Sequence, residues 1–288
     1  MKENETTIVK DKKYALLHSV AKYIVAISIV SVFFFPFIYM FLCSLQPTSE
    51  AIFATPISIF PKSIHFENFL TAFVNLNFFN SLKNTLIVMV CSGALQITVS
   101  VTVAYGFARF ENRYSETFFM ILMSTMMLPW IVTMVPSFVL FKFYGWIGTK
   151  LPLIAPALGG SAYNIFMLRN FMRGIPKSLD EAAELDGCGK LGILMKILLP
   201  NMTPILVTMI VFTVTGKWSD YVAPSIYLLN REDYTLTLAL AALKTSSDVY
   251  QWNEVMASCV LITLPMLGLL FSAQNVFMKG IVTTSVKG

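Results

Sequence analysis

A chain of 288 residues that is 56% hydrophobic and 13% charged, with a mean hydropathy of +0.69, lies outside the range of soluble domains, in which about 25% of residues are charged. This composition excludes an ordinary water-soluble enzyme and places the chain in a bilayer, where the net charge of +5 matters less than its distribution. Cys43, Cys91, Cys188 and Cys259 have no paired spacing, which argues against a disulfide framework or zinc site and for small buried hydrophobes.

In chain order, residues 1–22 form a polar, lysine-bearing tail expected to be flexible. A helix needs about 20 apolar residues to cross hydrocarbon. The first such run is residues 23–42, with Pro36 as a kink site; no small-residue cleavage site follows it, so it reads as a span and not a signal peptide. Residues 43–84 are too mixed to span: Pro47, Pro56 and Pro61 break the first half, and the aromatic-rich stretch 66–79 suits the membrane interface. The second and third spans are 86–107 and 118–141, joined by a loop with Arg109 and Arg113, and Pro129 and Pro136 interrupt the third. The fourth is 151–168, whose small-residue run 157–162 predicts a close packing face. The fifth is 203–214, begun by Pro200 and Pro204, and the sixth is 255–278, before a tail at 279–288. No repeat or Gly/Ser-rich linker divides the chain, so one transmembrane domain, 23–278, is expected.

Counted across these six spans, 14 of the 21 Lys and Arg residues fall on the side holding both termini and 7 on the other. Positive residues mark the cytoplasmic side, so both termini and the polar stretch at 178–200 are expected there.

That stretch reads as helix, glycine turn and helix. Ser178 and Glu181 have the spacing of a capping box, Asp180 and Glu181 sit where the helix dipole favours acids, and Gly187 and Gly189 bracket a turn. Leu191, Leu194, Met195 and Leu198 then recur on one helical face, with Lys190 and Lys196 off it, and Pro200 closes the unit. On physical grounds alone, an amphipathic pair lying on the membrane and a docking element are equally good readings.

Several chemistries are missing. Gly145-Trp-Ile-Gly148-Thr-Lys150 lacks P-loop spacing, and His18 and His65, near opposite sides, offer no metal cluster or proton relay. The six spans contain no Asp, Glu, Lys or Arg, which proton-coupled transporters keep there for function, so energy is expected from outside the chain. No convergent acid, base, nucleophile or metal set marks a membrane enzyme. A secondary transporter or channel is the alternative class.

Glu181-Ala182-Ala183, three residues, Gly187, nine residues, then Ile197-Leu198-Leu199-Pro200 matches E-A-A-x3-G-x9-I-x-L-P, the signature of permease subunits of binding-protein-dependent ABC importers. Residues 104–110, 164–176, 218–224 and 234–240 and the ending Lys279-Gly280 to Val286-Lys287-Gly288 carry the resemblance over nearly the whole chain. They narrow it to the carbohydrate type, similar to the MalG component of maltose systems. Thr283-Thr284-Ser285 departs from the small residues usual before that ending, and Cys188 replaces a common alanine.

The resemblance implies an all-α polytopic membrane protein with six transmembrane helices, cytoplasmic termini and a cytoplasmic coupling helix in a loop at 169–202. Glu181, Ala182, Ala183, Asp186, Gly187, Ile197 and Pro200 are then the ATPase-coupling residues. The chain itself binds no cofactor; ATP and Mg belong to a separate ATPase. The implied partners are a second homologous permease subunit, two ATP-binding cassette subunits, an extracytoplasmic sugar-binding protein and membrane lipid, with no nucleic acid. The implied function is half of a pore for a sugar or oligosaccharide in a bacterial cell membrane, with glycerol phosphate or a polyol as the alternative cargo.

For substrate contact the candidates are Gln96, Trp130, Tyr163 and Asn164, because sugars are gripped by aromatic faces and neutral hydrogen-bonding groups. Interhelical hydrogen bonds and interface anchoring are the plainer reading of each. Asp220, beside Trp218 and Tyr221, is either a contact for a soluble binding protein or a solvated loop acid.

Overall fold

The computed structural model describes residues 2–47, 59–110, 112–245 and 251–285, so Pro56 and the ending 286–288 lie outside the described residues. Among the described residues there are helices and turns and no strands. Four helices are long and apolar enough to cross a membrane, and two bent helix pairs raise the number to six if each pair is one span. The chain forms two compact units.

The first unit holds α1 (Lys2–Ser44), most of α2 (Glu67–Asn75) and the first turns of α14 (Trp252–Ser285). Helix α1 continues through the tail expected to be flexible and takes Pro36 into its interior. A buried polar knot fixes the end of α1: Asn68 Nδ2 donates to the carbonyls of Ser44 (2.9 Å) and Gln46 (2.8 Å), and Asn253 Nδ2 donates to Gln46 O (3.1 Å). These amides satisfy carbonyls that the helix end leaves without partners.

The second unit is built on α3 (Phe78–Arg109), against which α7 (Ala162–Gly174) and α11 (Thr203–Trp218) pack. Gly93 permits the approach of α11: a Cβ there would lie 3.4 Å from Thr213 Cγ2. The small-residue run packs on α3 as expected. It follows α6 (Leu151–Ile154) as a 3-10 turn, Ala155–Gly159; Gly160 then adopts φ 69°, and the Ser161 N–H donates to Ser100 Oγ at 3.0 Å. A core of Leu168, Met172, Ile193, Leu198 and Met202, all essentially unexposed, closes the end of the unit near Arg109.

The third span is not one helix. α4 (Ser115–Thr125) and α5 (Trp130–Phe143) meet at 94°, because Pro129 sits extended at ψ 135° and cannot continue the ladder. Pro136 lies inside α5 without ending it. The fifth span runs on to Trp218 and is bent by 82° from the helical run before it, at Met202. Pro204 lies in the first turn of α11, whereas Pro200 lies in the preceding run, within α10 (Leu199–Asn201), and so does not begin the span.

Beyond α11 come α12 (Val222–Tyr227), a 3-10 turn at Arg231–Asp233 and α13 (Leu236–Thr245). Buried Asn84 of α3 holds them by donating to the carbonyls of Glu232 (2.8 Å) and Tyr234 (3.1 Å), and Thr85 Oγ1 accepts the Leu236 N–H at 2.9 Å. Of the cysteines only Cys43 is buried. Cys91 is exposed beside Val90 on the face of α3 that nothing among the described residues covers, and Cys188 and Cys259 are half-buried.

Candidate functional site

The signature residues lie on a helical hairpin. Its first arm, α8 (Lys177–Leu185), begins after Pro176, whose φ of −56° and ψ of 132° set an extended entry. Ser178 is therefore already inside the first turn, no side chain caps the helix, and the expected capping box does not form. The other end is a complete Schellman motif. Gly187 takes φ 80°, its N–H donates to Glu184 O (3.0 Å), and the Cys188 N–H donates to Ala183 O (2.8 Å). Gly189, at φ −72° and ψ 165°, is ordinary extended backbone and has no part in the left-handed turn.

The second arm is α9 (Lys190–Ile193), a π-helical turn at Leu194–Leu198, and α10. The π turn inserts one residue into the register, so that the Leu199 N–H donates to Leu194 O. The expected face is broken as a result: Leu194 and Leu198 are buried together with Ile193, while Leu191 and Met195 face outward.

Three contacts tie the hairpin to the end of α3. Arg109 Nε lies 2.5 Å from Asp180 Oδ2, Arg109 Nη2 donates to Ile175 O at 3.0 Å, and Tyr105 Oη donates to Lys190 O at 3.0 Å. The Arg109–Asp180 contact is an ion pair and not an aligned hydrogen bond, since the Nε–H has no acceptor in line and Asp180 Oδ1 has no partner. Glu184 and Lys190 form a second, exposed ion pair across the turn. These groups, with Lys177 and Glu181, surround a cleft of about 130 Å³. A further anchor lies beside it: buried Arg169 stacks 3.7 Å over the Phe119 ring and pairs with Glu116, which also accepts from Arg173 Nη2 at 2.6 Å.

The hairpin faces outward with Glu181, Ala182, Asp186, Gly187, Pro200 and the apolar Leu185, which is 90% exposed. Ile197 is half-buried. Ala183 departs from expectation: at 8% exposure it packs into this chain's own core, so close approach of a partner rests on Ala182.

At the far end of the second unit a cavity of about 670 Å³ opens between α3, α5, α6, α11 and α12. Gln96 and Trp130 line it, as two of the four substrate candidates. Tyr163 and Asn164 do not: Tyr163 is half exposed elsewhere on α7, and Asn164 is buried in the first turn, where its N–H reaches Ser161 Oγ at 3.4 Å. Sequence reasoning misses Thr133, Ser137, Ser161, Lys217 and Tyr227, which also line the cavity. Asp220 lines it as well, which makes this acid more than a solvated loop residue, and its Oδ1 accepts the Ala223 N–H at 3.3 Å. Helices α7 and α11 run past the apolar stretches 151–168 and 203–214, so that Arg169 and Lys217, just beyond those stretches, are still helical. A lysine just past an apolar run, three residues before an acid, was the available signal for the cavity.

Residues 96–282 match the family described as binding-protein-dependent transport system inner membrane component. Similar proteins include the probable starch degradation products transport system permease protein AmyC of Thermoanaerobacterium thermosulfurigenes, 32% identical over 250 residues, which cover 86% of this chain and 90% of that protein. The melibiose/raffinose/stachyose import permease protein MelC of Bacillus subtilis is 32% identical over 234 residues, covering 80% of this chain and 84% of that protein. A solved chain of a bacterial ABC transporter that imports the acidic polysaccharide alginate shares the fold, with a TM-score of 0.75 at 20% identity over 90% of this chain and 95% of that one. The chain belongs to the binding-protein-dependent transport system inner membrane component family and is a multi-pass membrane permease subunit of an ABC importer, not an enzyme.

Proposed function

We propose that this chain forms half of the pore of an ATP-driven importer for a sugar or oligosaccharide, with six spans and both termini in the cytoplasm. Relatives named for starch degradation products and for melibiose, raffinose and stachyose support that cargo. A second permease subunit completes the pore, two ATP-binding cassette subunits carry ATP and Mg, and an extracytoplasmic binding protein delivers the sugar. Lipid surrounds the spans.

The carrying observation is that one continuous helix, α3, joins the hairpin to the cavity. Arg109 and Tyr105 of α3 hold the hairpin, and Gln96 of the same helix lines the cavity. Thirteen residues of helix separate Arg109 from Gln96, about 20 Å at 1.5 Å per residue. The 14 helical steps from Thr203 to Lys217 on α11 cover about the same distance. A push on Glu181, Ala182 and Leu185 by a closing ATPase pair is thus passed to the cavity wall by two packed helices that meet at Gly93 and Thr213. ATP binding supplies the differential free energy that such a shift between inward-open and outward-open states requires.

The test is uptake of a radiolabelled sugar panel by cells carrying the wild type or Glu181→Lys. The variant should insert and assemble with its partner permease but lose ATP-dependent uptake. Wild-type uptake from Glu181→Lys, or flux through the purified chain alone without ATP, counts against the reading; the latter result would favour a secondary transporter.

A further inference from the structure

We propose that Lys217 is a specificity-determining residue that holds an anionic group, a carboxylate or a phosphate, on the saccharide passing through the cavity. The inference rests on the permease reading and names the chemistry of its cargo.

Lys217 stands one residue before the end of α11 and lines the cavity of about 670 Å³. Lys217 forms no ion pair with any described carboxylate, unlike His65, Arg109, Lys150, Arg169, Arg173 and Lys190. Asp220, three residues on, gives its Oδ1 to the Ala223 N–H and so serves the start of α12.

The other polar groups of the lining narrow the ligand. Thr133 Oγ1 donates to Trp130 O at 2.9 Å, and Ser137 Oγ donates to Thr133 O at 2.7 Å, so both hydroxyl protons are engaged within α5. Ser161 Oγ accepts from its own helix at 3.4 Å. Thr133 and Ser137 therefore present lone pairs, which suit sugar O–H groups, while the Ser161 hydroxyl can still donate. Lys217 with its three N–H donors and the amide of Gln96 supply donors that no described protein acceptor takes up. A wall of hydroxyls and aromatic faces, with the Lys217 ammonium outside any ion pair and the Asp220 carboxylate held by the start of α12, fits a saccharide whose negative group docks on Lys217 and whose hydroxyls face Asp220. A charge-assisted bond made there is stronger than a neutral one.

The experiment uses the assembled transporter in proteoliposomes with its binding protein, and measures ATP-driven uptake of three probes: an oligogalacturonide mixture, a mixture of phosphorylated sugars and a neutral maltodextrin mixture. The wild type should import one of the two anionic mixtures, and which one distinguishes carboxylate from phosphate. Lys217→Gln should raise KM for that mixture about tenfold with kcat little changed, Lys217→Arg should restore it to within about twofold, and Lys217→Glu should abolish uptake. Uptake confined to the neutral mixture, or absent for both anionic ones in a complex that still holds its ATPase, overturns the inference. So does an unchanged KM in Lys217→Gln, or an equal loss of anionic and neutral uptake, which marks a structural role. Absence of all ATP-dependent uptake with no ATPase co-purifying strikes the permease reading instead.

Discussion

Arg109 at the end of α3 places its Nε 2.5 Å from Asp180 Oδ2 in the hairpin, and the side chains are only 6% and 12% exposed. Two residues 71 apart in sequence thus fix the hairpin to the helix that reaches the cavity. Breaking a buried pair on one side leaves an uncompensated charge, at a cost on the order of 3–5 kcal/mol. Asp180→Ala should therefore lower the thermal unfolding midpoint of the purified complex and abolish uptake. Replacing both residues with apolar ones, Arg109→Met with Asp180→Leu, should recover most of the midpoint without recovering transport, because the aimed contact is lost even where packing is kept.

Gly187 holds φ 80°, and a left-handed conformation costs a residue with a Cβ roughly 1–2 kcal/mol. Gly187→Ala should shift the unfolding midpoint modestly. Gly187→Pro also removes the N–H that reaches Glu184 O, so it should disorder the turn and uncouple uptake from ATP hydrolysis while membrane insertion stays normal. Uptake and ATPase rate measured on the same preparation check this.

Gly160 and Gly93 both face tight neighbours but should respond differently. At Gly160 a Cβ would meet Ser100 Oγ at 3.2 Å and the φ is 69°, so Gly160→Ala carries both a close contact and backbone strain, about 1–3 kcal/mol. At Gly93 the nearest atom is 3.4 Å away in ordinary helical backbone, so Gly93→Ala should be almost neutral and Gly93→Leu strongly destabilising. Thermal unfolding of the three variants in detergent gives the ranking.

Glu116 is shared by Arg169 and Arg173, and only Arg169 is buried, with a 4% exposed side chain against 47%. Glu116→Gln removes the charge opposite a guanidinium already withdrawn from water, so it should lower the thermal unfolding midpoint more than loss of Arg173 does. Arg173→Ala, at a half-exposed site, should cost under about 1 kcal/mol. Equal losses in the two variants would show that burial of Arg169 is not what makes the network matter.

The class, the approximate apolar helices and the hairpin are legible in the residues alone. Apolar runs long enough to cross hydrocarbon are visible without coordinates, and a glycine ending an acidic helix has one inexpensive conformation, which Gly187 adopts. Local chemistry was also enough to place Pro129 at a break, and the small run 157–162 against a neighbouring helix. Where partners from distant parts of the chain meet is set by packing between helices. Ser178 reads as a cap, but Pro176 starts the helix before it. Leu191, Leu194, Met195 and Leu198 read as one face, but across the π turn only Leu194 and Leu198 are buried, and Leu191 and Met195 face outward. Asp180 reads as a dipole-facing acid, yet its charge is met by Arg109 from another span. The cavity is lined from five helices; α5 gives Trp130, Thr133, Ser137 and Phe141 from one face, but local periodicity does not say which other helices that face meets. Hydrophobic pattern reports which segments leave water; which faces then touch depends on the shapes of helices that the pattern does not record.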